Sequence, residues 1–258
     1  MHITLQSFRI PKEGNTDAEN EDAYWPEEQA AYDLRSAETA YDLPLILRVA
    51  VADGATETLF SGLWAGILSR AYCESPSHLA FLKRLPALRD AWQSEVAARP
   101  LPWYAEEKAR SGAFATLLGL TVKTGHAHDI AYYQALAIGD SCLFHLREGR
   151  LLRAFPLTRA ADFNNSPYLL ASHPQRNPDL AENLRTTAHR ALPGDSLLLL
   201  TDALAQWFLH ALASDSDCPD PLREITNPEA FAQLAQQERE ARRLRNDDTT
   251  MLRLTFAS

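Results

Sequence analysis

Short apolar runs that break at an aspartate are the feature that most limits how this chain can fold. Leu45-Ile46-Leu47-Arg48-Val49-Ala50-Val51-Ala52 is nearly unbroken and stops at Asp53. A short apolar run bounded by turn residues reads as a buried strand. Ile130 to Ile138 stops at Gly139-Asp140, and Ser196 to Leu200 stops at Thr201-Asp202. Thr249 to Phe256 alternates as a last strand and is preceded by Asp247-Asp248. Ile3 to Ile10 alternates weakly, as a first strand does. Ala113 to Val122 reads as a strand joined to Ile130–Ile138 by the turn Gly125-His126-Ala127-His128-Asp129. Cys142 to Arg147 and Leu151 to Phe155 flank Glu148-Gly149-Arg150, a hairpin signal.

Helical periodicity fills the gaps. Thr56 to Cys73 carries Phe60, Leu63, Trp64, Ile67, Leu68 and Ala71 as one stripe. Ser77 to Ala98 is a second helical region, in which Pro86 is expected to open a new helix and Leu88, Trp92 and Val96 share a face. Ala203 to Leu212 and Pro228 to Leu244 also read as helices. Thr158 to Thr187 is polar, with Pro167, Pro174 and Pro178, and is expected to be a long surface loop near the site. Strands joined by hairpins and grouped with paired helices argue for an α+β fold with antiparallel sheets. With no repeat, low-complexity tract or composition break, residues 1–258 are expected to form a single domain.

Composition excludes several functions. There are 34 acidic against 25 basic residues, a formal charge of −9, and no Lys/Arg block, so nucleic acid is not expected as a partner. No apolar run approaches the ~20 residues that span a bilayer, so no membrane association is expected. The three cysteines, Cys73, Cys142 and Cys218, are far apart and form no CxxC pair, which argues against a disulfide framework or a thiolate zinc site. The start lacks a charged segment followed by an apolar one. These readings set the expectation of a cytoplasmic location.

The aspartates carry the chemistry. In antiparallel sheets the exit of one strand lies beside the entrance of the next. Asp53, Asp140 and Asp202 at exits, and Asp247 and Asp248 at an entrance, can therefore meet at one edge. Carboxylates gathered there repel one another unless cations neutralise them. Oxygen-only ligands suit hard ions such as Mg²⁺ or Mn²⁺. A lone Asp at a strand end is ordinarily a turn former or a helix cap; the combination is what distinguishes this chain.

Five motifs in order resemble those of the protein phosphatase 2C (PPM) family: Asn20-Glu21-Asp22, Val51-Ala52-Asp53-Gly54, Ile138-Gly139-Asp140-Ser141, Leu200-Thr201-Asp202 and Asp247-Asp248-Thr249-Thr250. Gly112-Ala113-Phe114-Ala115-Thr116 resembles the family's Gly- and Thr-rich strand. The resemblance runs from about residue 3 to 256 and is that of a divergent, bacterial-type member. It implies a four-layer α-β-β-α sandwich of two antiparallel sheets flanked by helices, holding two or three Mn²⁺ or Mg²⁺ ions. Asp53 would bridge two metals, the carbonyl of Gly54 would complete the second site, and Asp202 and Asp247 would hold the first. Asp140 with Asp202 would form a third, weaker site, while Glu21 and Asp22 would contact metal-bound waters. A bridging water would attack phosphorus in line. The implied substrates are phosphoserine and phosphothreonine in proteins, opposing a Ser/Thr kinase.

The sequence also departs from that pattern. The family's phosphate-binding Arg lies four residues before the Glu-Asp pair, where this chain has Asp17. Lys12 is the candidate replacement, with Arg9 as the other choice. Ala55-Thr56-Glu57 follows Asp53-Gly54 in place of further glycine, Cys142 stands where an Arg follows Gly-Asp-Ser, and Asp248 stands where Asn is common. The alternative to an active enzyme is a pseudophosphatase that binds phosphoprotein. His126 and His128 fit a solvated turn tip better than a metal site, and Ser141 lacks a nucleophile context. Trp103-Tyr104 is expected to pack on the sandwich, and Gln236 to Arg245 to be the wet face of a helix.

Overall fold

The computed structural model describes residues 1–27, 30–33, 46–124, 130–164, 166–214, 222 and 224–258. His126, His128, Leu45 and Cys218 lie outside them. Two antiparallel sheets form the centre. One holds six strands: β1 (His2–Ile10), β3 (Ala30–Asp33), β8 (Cys142–Arg147), β9 (Arg150–Phe155), β12 (Asp195–Leu200) and β13 (Thr249–Ala257), in the order β3-β1-β13-β12-β8-β9. The other holds β2 (Asp22–Trp25), β4 (Ile46–Asp53), β6 (Leu117–Thr124), β7 (Ala131–Ile138) and β11 (Arg185–Ala191), in the order β11-β7-β6-β4-β2.

Strand alternation explains the layering, because alternate side chains face opposite sides. Ile3, Leu5, Val49, Val51, Leu118, Leu120, Leu197, Leu199, Leu252 and Leu254 are buried between the sheets. The outward face of the six-stranded sheet, through Phe8, Phe144, Leu198 and Met251, packs on α5 (Asp202–Ser214) and α6 (Pro228–Glu240). Ala50, Ala52, Leu117 and Leu136 on the other sheet pack on α1 (Ser61–Glu74) and α2 (His78–Ala97) through Trp64, Leu68, Phe81 and Trp92. The result is the expected α-β-β-α sandwich. Among the described residues no helix is long and apolar enough to cross a membrane.

Several local expectations are corrected. Pro86 does not divide α2, which runs unbroken from His78 to Ala97. Pro86 is exposed, so its ring takes no space in the core, while buried Phe81, Leu85 and Leu88 hold the helix on both sides of it. Helix α1 starts at Ser61 rather than near Thr56, because Phe60 adopts φ +62°, outside helical geometry. Ala113–Val122 is broken at Thr116 into β5 (Phe114–Ala115) and β6. Thr158–Thr187 is no plain loop: β10 (Leu170–Ala171) pairs with β5, and α4 (Leu180–Asn183) and the start of β11 follow. The two residues of β10 are fully buried, which the polar surroundings conceal. In α3 (Trp103–Arg110), Trp103 is 77% exposed, and Ala109 reaches the core.

Candidate active site

The loops at one end of the sandwich are tied together by backbone and hydroxyl contacts that fix the aspartates. Asp22 opens β2 opposite Asp53, which closes β4. The Asp53 amide donates to Thr116 Oγ1 at 3.0 Å, and the Thr116 amide donates to the Asp53 carbonyl at 2.8 Å. The Thr116 hydroxyl also meets Ser141 Oγ at 2.7 Å. The break between β5 and β6 therefore serves to join β4 to the turn after β7. Gly139 in that turn has φ +98°, and a Cβ there would lie 2.7 Å from Thr116 Cγ2, so glycine is required.

From the other sheet, Thr201 Oγ1 donates to Asp22 Oδ2 at 3.0 Å and accepts from the Thr250 amide at 2.9 Å. Asp248 is a staple: its two oxygens accept from the Lys12 amide at 2.8 Å and the Glu21 amide at 2.7 Å. That role explains a carboxylate where Asn is common. Gly54 is pressed against its surroundings. Its amide donates to the Glu21 carbonyl at 3.2 Å, and a Cβ would lie 2.7 Å from the Ser61 carbonyl carbon. Glu21 accepts from Ser61 Oγ at 2.5 Å and lies 3.7 Å from Lys12 Nζ.

The electrostatics show that Asp22, Asp53, Asp140, Asp202 and Asp247 share one neighbourhood. Burial pushes Asp53 well above the usual carboxylate range, and the charges of Asp202, Asp22, Asp247 and Asp140 add to it. Asp22 is pushed up to about 8 by burial, with Asp248 and Asp202 contributing against the Thr201 hydrogen bond. Asp22 Oδ1 is buried without a hydrogen-bond partner. Asp140 is raised to about 7, again by burial first and by Asp202 next. Asp247 is raised by burial and by Asp202, partly offset by Arg245. Such mutual repulsion is what a hard cation relieves.

Arg245 is the cation already present. Its Nη2 contacts Asp202 Oδ2 and lies 3.0 Å from Asp247 Oδ2. Among the described residues, no three or more His, Cys, Asp or Glu side chains converge as they stand into a group able to hold an ion. The donor chemistry nevertheless fits Mg²⁺ or Mn²⁺: oxygen only, with Asp22 and Asp140 buried and Asp53, Asp202 and Asp247 partly buried. Reading Gln236–Arg245 as one helical face missed Arg245, because α6 ends at Glu240. Its position two residues before Asp247 was the available signal. Thr116, Thr201, Ser61 and Ser141 were also missed as positioning residues.

Among the seven acidic and glycine candidates, Asp22, Asp53, Asp140, Asp202 and Asp247 are brought together, with Gly54 and Glu21 adjoining. Lys12 lies at the rim beside Glu21. Arg9 instead donates to the Asp22 carbonyl at 3.1 Å and stacks 5.8 Å from the Tyr24 ring centre.

Fold and site together define a class of architecture: a four-layer sandwich with an acidic cluster at one end of its sheets. No protein-family model matches the sequence, and no curated protein matches it either. Solved structures do share the fold. The Mycobacterium tuberculosis serine/threonine phosphatase PstP/Ppp is 15% identical with a TM-score of 0.60, covering 100% of both chains. The catalytic domain of PstP in complex with two manganese ions is 17% identical with a TM-score of 0.56, covering 99% of this chain and 100% of that one. PppA, a regulatory component of the type VI secretion system in Pseudomonas aeruginosa, is 20% identical with a TM-score of 0.52, covering 99% and 98%. At these identities the likeness establishes the fold.

Proposed function

We propose that this protein is a metal-dependent phosphatase that hydrolyses phosphoserine or phosphothreonine in proteins, opposing a Ser/Thr kinase. The observation that carries the reading is the crowded cluster of Asp22, Asp53, Asp140, Asp202 and Asp247, on a fold shared with a phosphatase domain solved with two manganese ions. Asp53, Asp202 and Asp247 would hold the central ions with the Gly54 carbonyl, and Asp140 with Asp202 a further one. When bound, Mn²⁺ or Mg²⁺ supplies charge neutralisation and lowers the pKa of water at the site.

The chain's own residues do the rest. Thr116 holds the Asp53 backbone and the turn carrying Asp140 in fixed relation. Ser61 holds the Glu21 carboxylate and Thr201 holds the Asp22 carboxyl, fixing both groups that would contact metal-bound waters. Lys12 Nζ, 3.7 Å from Glu21, supplies a point charge for the substrate phosphate.

A second reading, a module that binds phosphoprotein without turnover, is favoured by Asp17 in place of the phosphate-binding Arg. Hydrolysis of an aryl phosphate and a phosphothreonine peptide, after chelation and after Mn²⁺ is restored, separates the two. The phosphatase reading expects turnover only with Mn²⁺; phosphopeptide binding with no turnover in any metal would establish the second.

A further inference from the structure

We infer that Arg245 is a built-in counter-ion that holds the metal-free site and competes directly with the first metal. The inference rests on the phosphatase reading, since it concerns the carboxylates assigned there to that ion.

The geometry is specific. One guanidinium nitrogen of Arg245 serves both Asp202 Oδ2 and Asp247 Oδ2. Asp202 Oδ1 is also engaged, accepting from the Ala203 amide at 2.5 Å. A cation held by Asp202 and Asp247 needs the lone pairs that Arg245 occupies, so its entry displaces the guanidinium. A guanidinium stays charged at every working pH.

Arg245 has room to leave. Its side chain is 44% exposed, and it follows the end of α6 in an irregular segment rather than lying inside a helix. Two residues later the chain reaches Asp247, so the displaced group stays tethered at the cleft. The consequence is a site that is stable when empty and loads only when the divalent ion outcompetes an internal charge.

Arg243 supplies the control. It belongs to the same segment and carries the same charge, but its partner is Glu238 at 2.7 Å, outside the cluster. The experiment compares wild type, Arg245→Gln and Arg243→Gln after chelation. Mn²⁺ affinity is read by calorimetry, and the thermal midpoint is measured without and with saturating Mn²⁺. Arg245→Gln should bind Mn²⁺ about tenfold more tightly, in line with a partly exposed pair of charges on two carboxylates. Its metal-free midpoint should fall below wild type, and saturating Mn²⁺ should abolish that deficit. Arg243→Gln should leave Mn²⁺ affinity near the wild-type value.

Equal Mn²⁺ affinity in wild type and Arg245→Gln would overturn the competition and leave the phosphatase reading standing. A matching gain in Arg243→Gln would also overturn it, by reducing the effect to general charge. Failure of all three proteins to bind Mn²⁺ would remove the metal reading and the inference together.

Discussion

Asp140→Asn should stabilise the metal-free protein, with a gain that depends on pH in a defined way. The Asp140 carboxyl titrates at about 7 in the fold against 3.8 unperturbed, because burial, then repulsion from Asp202, disfavours its charge. Moving a carboxyl from 3.8 to about 7 is worth about 4 kcal/mol. In the folded chain Asp140 keeps its proton up to about pH 7, while the unfolded chain releases it near 3.8. The folded state therefore binds the extra proton in this window, and stability falls as pH rises through it. Below about pH 4 both states are protonated and Asp140 has no such effect. Asn keeps the shape without the charge. Its gain should be near zero at about pH 3, grow through pH 4 to 7, and level off near 4 kcal/mol above that. Asp22, raised to about 8, adds to the same trend in the wild type. The assay is urea unfolding of chelated protein across this range. Saturating Mn²⁺ should reverse the sign, because the variant then lacks a ligand. Equal or lower stability of Asp140→Asn at pH 8, or a gain independent of pH, would refute the reasoning.

Other outcomes follow from the same geometry. Lys12→Ala should raise KM for a phosphothreonine peptide about tenfold and leave Mn²⁺ affinity unchanged, whereas Arg9→Ala should act on stability through its contacts with Asp22 and Tyr24; unchanged kinetics in Lys12→Ala would end its assignment. Gly54→Ala forces a Cβ onto the Ser61 backbone and should cost about 1–3 kcal/mol in chelated protein, measured by urea unfolding. Thr116→Val removes the hydroxyl between Asp53 and Ser141 and should cost about 1–2 kcal/mol. It should also lower kcat, a loss that a purely structural role would not produce once the protein is folded and loaded with metal.

Much of the fold was legible because its strands carry their own pattern. The apolar stretch now in β4 and the alternation of β13 announced buried strands, and their flanking aspartates marked the cluster. What stayed hidden depends on partners distant in sequence. Thr116 interrupts an apolar run only because it binds Asp53, which lies 63 residues away. β10 is two residues long and is defined by pairing with β5. Pro86 signalled a break that burial on both sides overrides. Asp248 was legible only as a departure from a common Asn, because its partners Lys12 and Glu21 belong to the other end of the chain. Arg245 was concealed by a helix boundary, since charge periodicity continues past the residue where the helix stops.

The central claim is that Asp53 and its neighbours form a divalent-metal site that powers phosphate hydrolysis. Equilibrium dialysis of chelated protein against Mn²⁺, run in parallel for wild type and Asp53→Ala, tests it most directly. The account predicts about two ions per wild-type chain, loss of tight binding in Asp53→Ala, and a fall in phosphopeptide turnover of at least about 100-fold in the variant. Wild-type binding and turnover in Asp53→Ala, or full activity of wild type without metal, would contradict it.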